Sequence, residues 1–311
     1  MTAISFVWNP QGGNTDFGTA GNWQPTGVPG PADSANFTTA AASGTITGNG
    51  TVGGLQFGAT TPWVLNGADL VYNGNVRVGA PDGNLTLTNG ATLDGRSTQA
   101  DHIGSAAGTL AAATVTGLDT TWKTLGSVIV DGGLAVSNQA TMSAAAAITV
   151  GDSLQTNGAL SVQSGANLST AGLLLVGDDA GSSGAIQLLS GGTLGVTGTG
   201  SGMELGVAAG AAGAITVSGT DSTLNTFGNQ IAVGLSGAGA LAIGNAGTVS
   251  TAGGPPGSGG GIALGTGNGG MGSAAVTGPG SELINVGQFT VGGNGTAQPG
   301  GMGSLLIEAG G

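Results

Sequence analysis

Large aliphatic residues recur in pairs along this chain, each pair flanking one small or polar residue. Val76-Arg-Val78, Leu85-Thr-Leu87, Ile148-Thr-Val150, Leu160-Ser-Val162 and Ile186-Gln-Leu188 are followed by Ile215-Thr-Val217, Ile231-Ala-Val233, Leu241-Ala-Ile243, Ile262-Ala-Leu264 and Phe289-Thr-Val291. A period of two belongs to a strand with one buried face. No apolar stripe at i, i+3, i+4, i+7 persists, and the alanine run at 144–147 is too short to hold a helix. The pattern therefore predicts an all-β chain with helix content close to zero.

The alternations come in two kinds, in a fixed order. One kind ends in glycine, as at Val78-Gly79, Ile103-Gly104, Val150-Gly151, Val176-Gly177, Leu205-Gly206, Val233-Gly234, Leu264-Gly265 and Val291-Gly292. The other follows a Gly/Ala/Ser loop and runs into a turn such as Ser164-Gly-Ala, Ser190-Gly-Gly, Ser218-Gly-Thr-Asp or Thr277-Gly-Pro-Gly. A short third element then carries Leu168, Leu194, Leu224, Val249 or Leu283. From Gly151 onward the strand-ending glycines lie 26, 29, 28, 31 and 27 residues apart. That spacing, with about three short strands per repeat, predicts an elongated parallel β-helix (a β-solenoid). In such a fold each coil stacks its inward Leu, Ile and Val on those of its neighbours, and the backbone pairs between coils at about 4.8 Å. One coil alone buries almost nothing, so only the stack is stable. The longest interval contains Gly253-Gly-Pro-Pro-Gly-Ser-Gly-Gly-Gly261, which is expected to protrude as a loop.

The first 70 residues differ from the rest. They hold Trp8, Trp23 and Trp63, and Phe6, Phe17, Phe37 and Phe57. A solenoid end exposes unpaired strand edges and a cut core, so residues 1–70 are read as an aromatic-rich N-terminal cap with the first coils, and 71–311 as β-helix repeats. Leu305-Leu-Ile307-Glu-Ala-Gly-Gly311 stops mid-repeat, and the natural protein is expected to continue beyond it.

Composition narrows the functions. Glycine supplies 69 of the 311 residues, but without the every-third spacing of collagen, and the recurring aliphatics exclude a flexible low-complexity chain. Glycine here serves turns. Three cations, Arg77, Arg96 and Lys123, stand against 15 acidic residues, for a net charge of -12. They cannot build a surface for phosphates, which excludes nucleic acid and anionic membrane as partners. With no cysteine there is no disulfide framework and no thiolate metal site. No run of about 18 apolar residues exists to span a bilayer as a helix. Met1-Thr-Ala-Ile-Ser-Phe-Val-Trp8 shows no signal-peptide pattern, which leaves a cytosolic protein or a mature fragment that starts at Met1, and the repeats favour the second.

Two longer patterns carry a resemblance. The order "Val-Gly, Gly-rich loop, Leu-x-Val, Ser-Gly-Gly-x-Leu" alternates with Ile215-Thr-Val-Ser-Gly-Thr-Asp-Ser-Thr-Leu224. The entry segment reads Trp8…Ala20-Gly-Asn-Trp23…Gly27-Val-Pro29…Asp33-Ser-Ala-Asn-Phe37. Together they resemble passenger regions of type V secretion (autotransporter) proteins and related PEP-CTERM-associated secreted bacterial repeats. The resemblance implies a right-handed parallel β-helix at the extracellular or bacterial cell surface, often an adhesin. Its partners would be surface glycans or proteins of host or neighbouring cells.

Four constellations invite a chemical reading. Gly151-Asp-Ser-Leu154 resembles the nucleophile block of GDSL esterases, but the only histidine, His102, lies upstream, whereas that family's lies downstream, and a repeat turn explains the segment. His102, Asp119 and Ser153 follow the chain order of a trypsin-like triad with the wrong spacing and fold. Asp178-Asp179, with Asp152 one repeat earlier in the same turn, could pair carboxylates for glycan hydrolysis or contribute to a Ca²⁺ site; a solvated turn is the simpler reading. Trp122 could stack on a sugar but takes the slot of Leu224, which predicts core packing, and Tyr72 and Arg77 suggest nothing sharper. The expectation is a non-enzymatic structural or adhesive stalk, with no catalytic, cofactor-binding or metal-binding residues assigned and no cofactor. A polysaccharide-active β-helix using Asp152, Asp178 and Asp179, or a self-associating filament joined through the open C-terminal edge, are the alternatives.

Overall fold

The computed structural model describes residues 2–310 except 11–12, 39–43, 59–61, 80–82, 105–110, 201, 254–259, 294–299 and 309. The expected protrusion at 253–261 falls largely outside the described residues. Among those described, the only helical element is a single 3-10 turn at Ala20–Asn22.

The strands form three stacked sheets of 13, 11 and 10 strands, called here faces I, II and III. The chain visits them in the order I, II, III and begins again one coil further on. A representative coil runs Leu174–Val176 on face I, Ser183–Leu189 on face II and Thr193–Val196 on face III, and re-enters face I at Met203–Leu205. Successive strands on a face pair in parallel, with equivalent residues in register: Val150↔Val176↔Leu205 on face I, Leu160↔Ile186↔Ile215 on face II, and Leu168↔Leu194↔Leu224 on face III. This is the parallel β-helix that the residue pattern predicts. Thirteen strands at about 4.8 Å make a stack roughly 60 Å long.

Period two puts the aliphatic pair of each strand inside and the residue between them outside. Ile186 and Leu188 are buried, and Gln187 between them is exposed. The resulting core is one continuous cluster reaching from Phe6 to Val276. Trp122 is fully buried and lies in the Leu93↔Trp122↔Met142↔Leu168 ladder, the slot that its likeness to Leu224 assigns it.

The corners explain the glycine. Gly177 ends its face I strand with φ +68°, and a Cβ there would lie 2.1 Å from the Ala212 carbonyl oxygen. Both the left-handed backbone and the close approach of the following coil demand glycine. At the turn between faces II and III, short polar residues take the left-handed conformation instead, as at Ser164, Ser190 and Asp221.

The N-terminal end is closed by aromatic packing. Trp8 and Phe17 each pack edge-on against Trp23 with ring centroids 4.9 Å apart, and Phe37 stacks flat on Phe57 at 4.8 Å. Among the described residues one strand pair is antiparallel, Val7↔Gln24 and Trp8↔Trp23, and it covers the edge of face I. At the other end no coil covers Leu305 and Ile307, which are 39% and 62% exposed although Ala274 and Val276, beside them in the same ladders, are buried.

Candidate functional site

The corner between faces I and II carries most of the chemistry noted in the sequence. Because Val130, Val150 and Val176 are in register, Asp131 begins the corner of its coil, and Asp152 and Asp178 take places equivalent to each other, one residue further round the corner, in the next two. Asp131 is held firmly. One carboxylate oxygen accepts the Asp152 and Ser153 amides at 2.8 and 3.1 Å and the Thr156 hydroxyl at 2.7 Å, and the other accepts the Ser153 hydroxyl at 2.7 Å. Burial opposes its charge, but the Ser153 and Thr156 hydroxyls and the two amides outweigh burial and hold its pKa below the usual carboxylate value.

Asp152, Asp178 and Glu204 shift the other way. Partial burial raises all three; Asp152 also feels Asp131, Asp178 and Asp179, Asp178 feels Asp179, and Glu204 feels Asp178. The result is a run of like charges in consecutive coils, with Asp131, Asp152 and Asp178 at the corner and Glu204 on a neighbouring face I strand. Among the described residues no three His, Cys, Asp or Glu side chains are grouped so as to hold a metal ion.

The two nucleophile readings do not assemble. Ser153 of the Gly-Asp-Ser-Leu segment gives its hydroxyl proton to a carboxylate, not to an imidazole. His102 stands at the centre of its face I strand, half-buried, with its pKa lowered by burial and by Arg77 against an opposing effect of Asp131. Asp119 sits at φ +62° in the turn between faces II and III, exposed to solvent, and no hydrogen bond joins it to His102 or Ser153. Asp152, Asp178 and Asp179, by contrast, lie near enough in their shared turn position for Asp178 and Asp179 to raise the pKa of Asp152.

Face II offers a long concave surface. A furrow of about 670 Å³ crosses five coils, floored by small residues such as Ala185, Ala214, Ala240 and Ser273 and edged by the exposed Met271 and Met302. A smaller hollow of about 350 Å³ beside face I contains Glu204, Leu173 and Gln230.

The polar constellation that the sequence reading misses lies inside the core. Asp101 is fully buried in a face I ladder whose next residues are Val128, Ile148 and Leu174. Its carboxylate accepts the Tyr72 hydroxyl at 2.5 Å and the Val76 amide at 2.8 Å, and the Trp122 indole N–H donates to the Tyr72 oxygen at 3.1 Å. The available signal was Asp101-His-Ile103-Gly104, where an acid stands at the first inward position of an otherwise aliphatic pair.

Neither a family model, nor a curated protein, nor a solved structure matches this chain.

Proposed function

We propose that this chain is a structural and adhesive rod, displayed on a bacterial surface or secreted, that contacts surface glycans or proteins through its outer faces and carries out no chemistry. The observation that supports this reading most is the run of face II. Its strands repeat in register from Pro62–Asn66 to Met302–Ile307 and present outward a continuous field of small apolar and hydroxyl side chains with scarcely a charge. A flat, repetitive and nearly uncharged surface suits many weak contacts over a long area, where the gain comes from multiplicity. The sequence resemblance to autotransporter passengers points the same way.

A second reading has one observation in its favour: burial and neighbouring carboxylates raise the pKa of the stacked Asp152 and Asp178 above the ordinary value, the direction that a glycan hydrolase's acid needs. One experiment separates the two. The purified chain is applied to a panel of uronic and neutral polysaccharides and to fixed cells, scoring retention and release of reducing sugar. The rod reading expects retention without sugar release. Sugar release that Asp178→Asn abolishes would overturn it in favour of the hydrolase.

A further inference from the structure

The core of a β-solenoid is ordinarily a stack of aliphatic ladders, and a carboxylate in one of them needs a reason. Asp101, Tyr72, Trp122 and Thr124 are all at most 3% exposed and belong to three consecutive turns of the helix. Tyr72, Gly95 and Thr124 are aligned on face III, with Gly95 between the other two. A Cβ on Gly95 would fall 2.4 Å from the Tyr72 hydroxyl oxygen, so the missing side chain is the space through which Tyr72 reaches its partners. The Asp101 carboxylate reaches back to the Val76 amide at 2.8 Å, Tyr72 donates to it at 2.5 Å, and Trp122 donates forward to Tyr72 at 3.1 Å. Thr124 lies within hydrogen-bonding reach of both Tyr72 and Asp101.

Among the described residues no cation faces this cluster. Arg77 neighbours Val76, and His102 neighbours Asp101, on the outward side of their face I strands. Lys123 is exposed on the outer side of the strand that carries Trp122, and Asp94 points outward beside Gly95. Tyr72 is the one titratable side chain on the inner side, and its proton is held tightly, since burial and Asp101 both push its pKa up.

We propose that Asp101, Tyr72, Trp122 and Thr124 form a proton-operated lock: with a proton on Asp101 the cluster is neutral and pins three coils in register, and its loss leaves an unpaired charge in the core that loosens them. In the protonated state Asp101 donates to the Tyr72 oxygen, and the Tyr72 proton turns to the Thr124 hydroxyl. In the ionised state Tyr72 donates to the carboxylate, as the geometry stands. Burial dominates over the four hydrogen-bonding influences of Tyr72, Val76, Thr124 and Trp122 and carries the Asp101 pKa up to about 6. A group raised in the folded state contributes stability in full below its unfolded pKa and loses it as pH rises through the folded one. The lock therefore closes in mildly acidic surroundings and opens toward neutrality.

Two measurements on the full chain test this. The first compares the unfolding constant of wild type with that of Asp101→Asn, a neutral isostere of the protonated acid, across pH 3.5–7.5. Carboxylates elsewhere cancel in the ratio. The gap between about 6 and the ordinary 3.8 predicts that the wild-type to variant ratio rises on the order of 10²-fold across this window. A ratio independent of pH would overturn the lock. The second works even if the variant does not fold. Tyr72 is the only tyrosine in the chain, so its ultraviolet resonance Raman signature reports its hydrogen bonding alone. The folded wild type should shift between one signature at pH 7.5, where Tyr72 donates to the carboxylate, and another at pH 4.5, where it accepts from Asp101 and donates to Thr124, with a midpoint near pH 6. A signature unchanged through that range would also overturn it.

Discussion

Gly177 shows how much of this fold is decided by single atoms. Its left-handed φ and the Ala212 carbonyl oxygen 2.1 Å from a would-be Cβ impose two separate penalties. Gly181 shares the conformation, with φ +76°, but nothing lies within 4 Å of its would-be Cβ. Gly181→Ala should therefore cost only the conformational term, about 1 kcal/mol, and Gly177→Ala roughly 3 kcal/mol or more, because the next coil must move. Chemical denaturation of the two variants checks the order, and equal costs would show that close approach is not what fixes glycine at the corner. The same scale exposes the limit of reading residues singly. The corner glycines are legible because they recur at a constant distance from the aliphatic pair. Asp101 breaks the pattern once, and its partners Tyr72 and Trp122 are 29 and 21 positions away in sequence. Only the stacking of coils makes them neighbours.

At the scale of strands and coils, periodicity carried almost everything that was foreseen. Each alternation named from the sequence lies within a strand, and Leu168, Leu194, Leu224, Val249 and Leu283 all fall on face III. The N-terminal arrangement was legible only as aromatic content. Trp23–Gln24 pairs antiparallel with Ser5–Trp8, and a packed aromatic cluster has no period from which that direction could be inferred. Interchangeable coils make a sharp prediction. Val176 and Leu205 are register partners, so excising residues 177–205 joins Val176 to Gly206 and recreates a native-like corner. The shortened chain should fold cooperatively with strand content per residue unchanged and with stability reduced by about one coil's share. Loss of all β signal in circular dichroism would show that the coils are not equivalent units.

For the whole molecule, the acidic balance sets how it responds to its surroundings. Three cations cannot neutralise 15 acidic groups, and Asp101, Asp152, Asp178 and Glu204 all hold protons more tightly when folded. Each contributes stability that is present in acid and lost as pH rises through its folded pKa; Asp131 acts oppositely and is lost only as pH falls through its lowered value. The thermal midpoint should be higher at pH 5 than at pH 8, because Asp101, whose pKa burial raises to about 6, loses its proton within that interval. A midpoint that climbs steadily from pH 5 to pH 8 would contradict this electrostatic picture.

Everything above depends on equivalent residues advancing by one coil at a time along a straight stack, and spin-label distances report that advance directly. The chain has no cysteine, so labelled pairs can be introduced without background. Thr86, Ser161, Thr216 and Ala275 lie on one outward ladder of face II, with Ser161, Thr216 and Ala275 three, five and seven coils beyond Thr86. Pulsed electron resonance from Thr86 should give backbone separations near 14, 24 and 34 Å, at about 4.8 Å per coil. Distances that level off, or that shorten between the second and third pairs as hairpins folding back would require, would contradict the parallel stack.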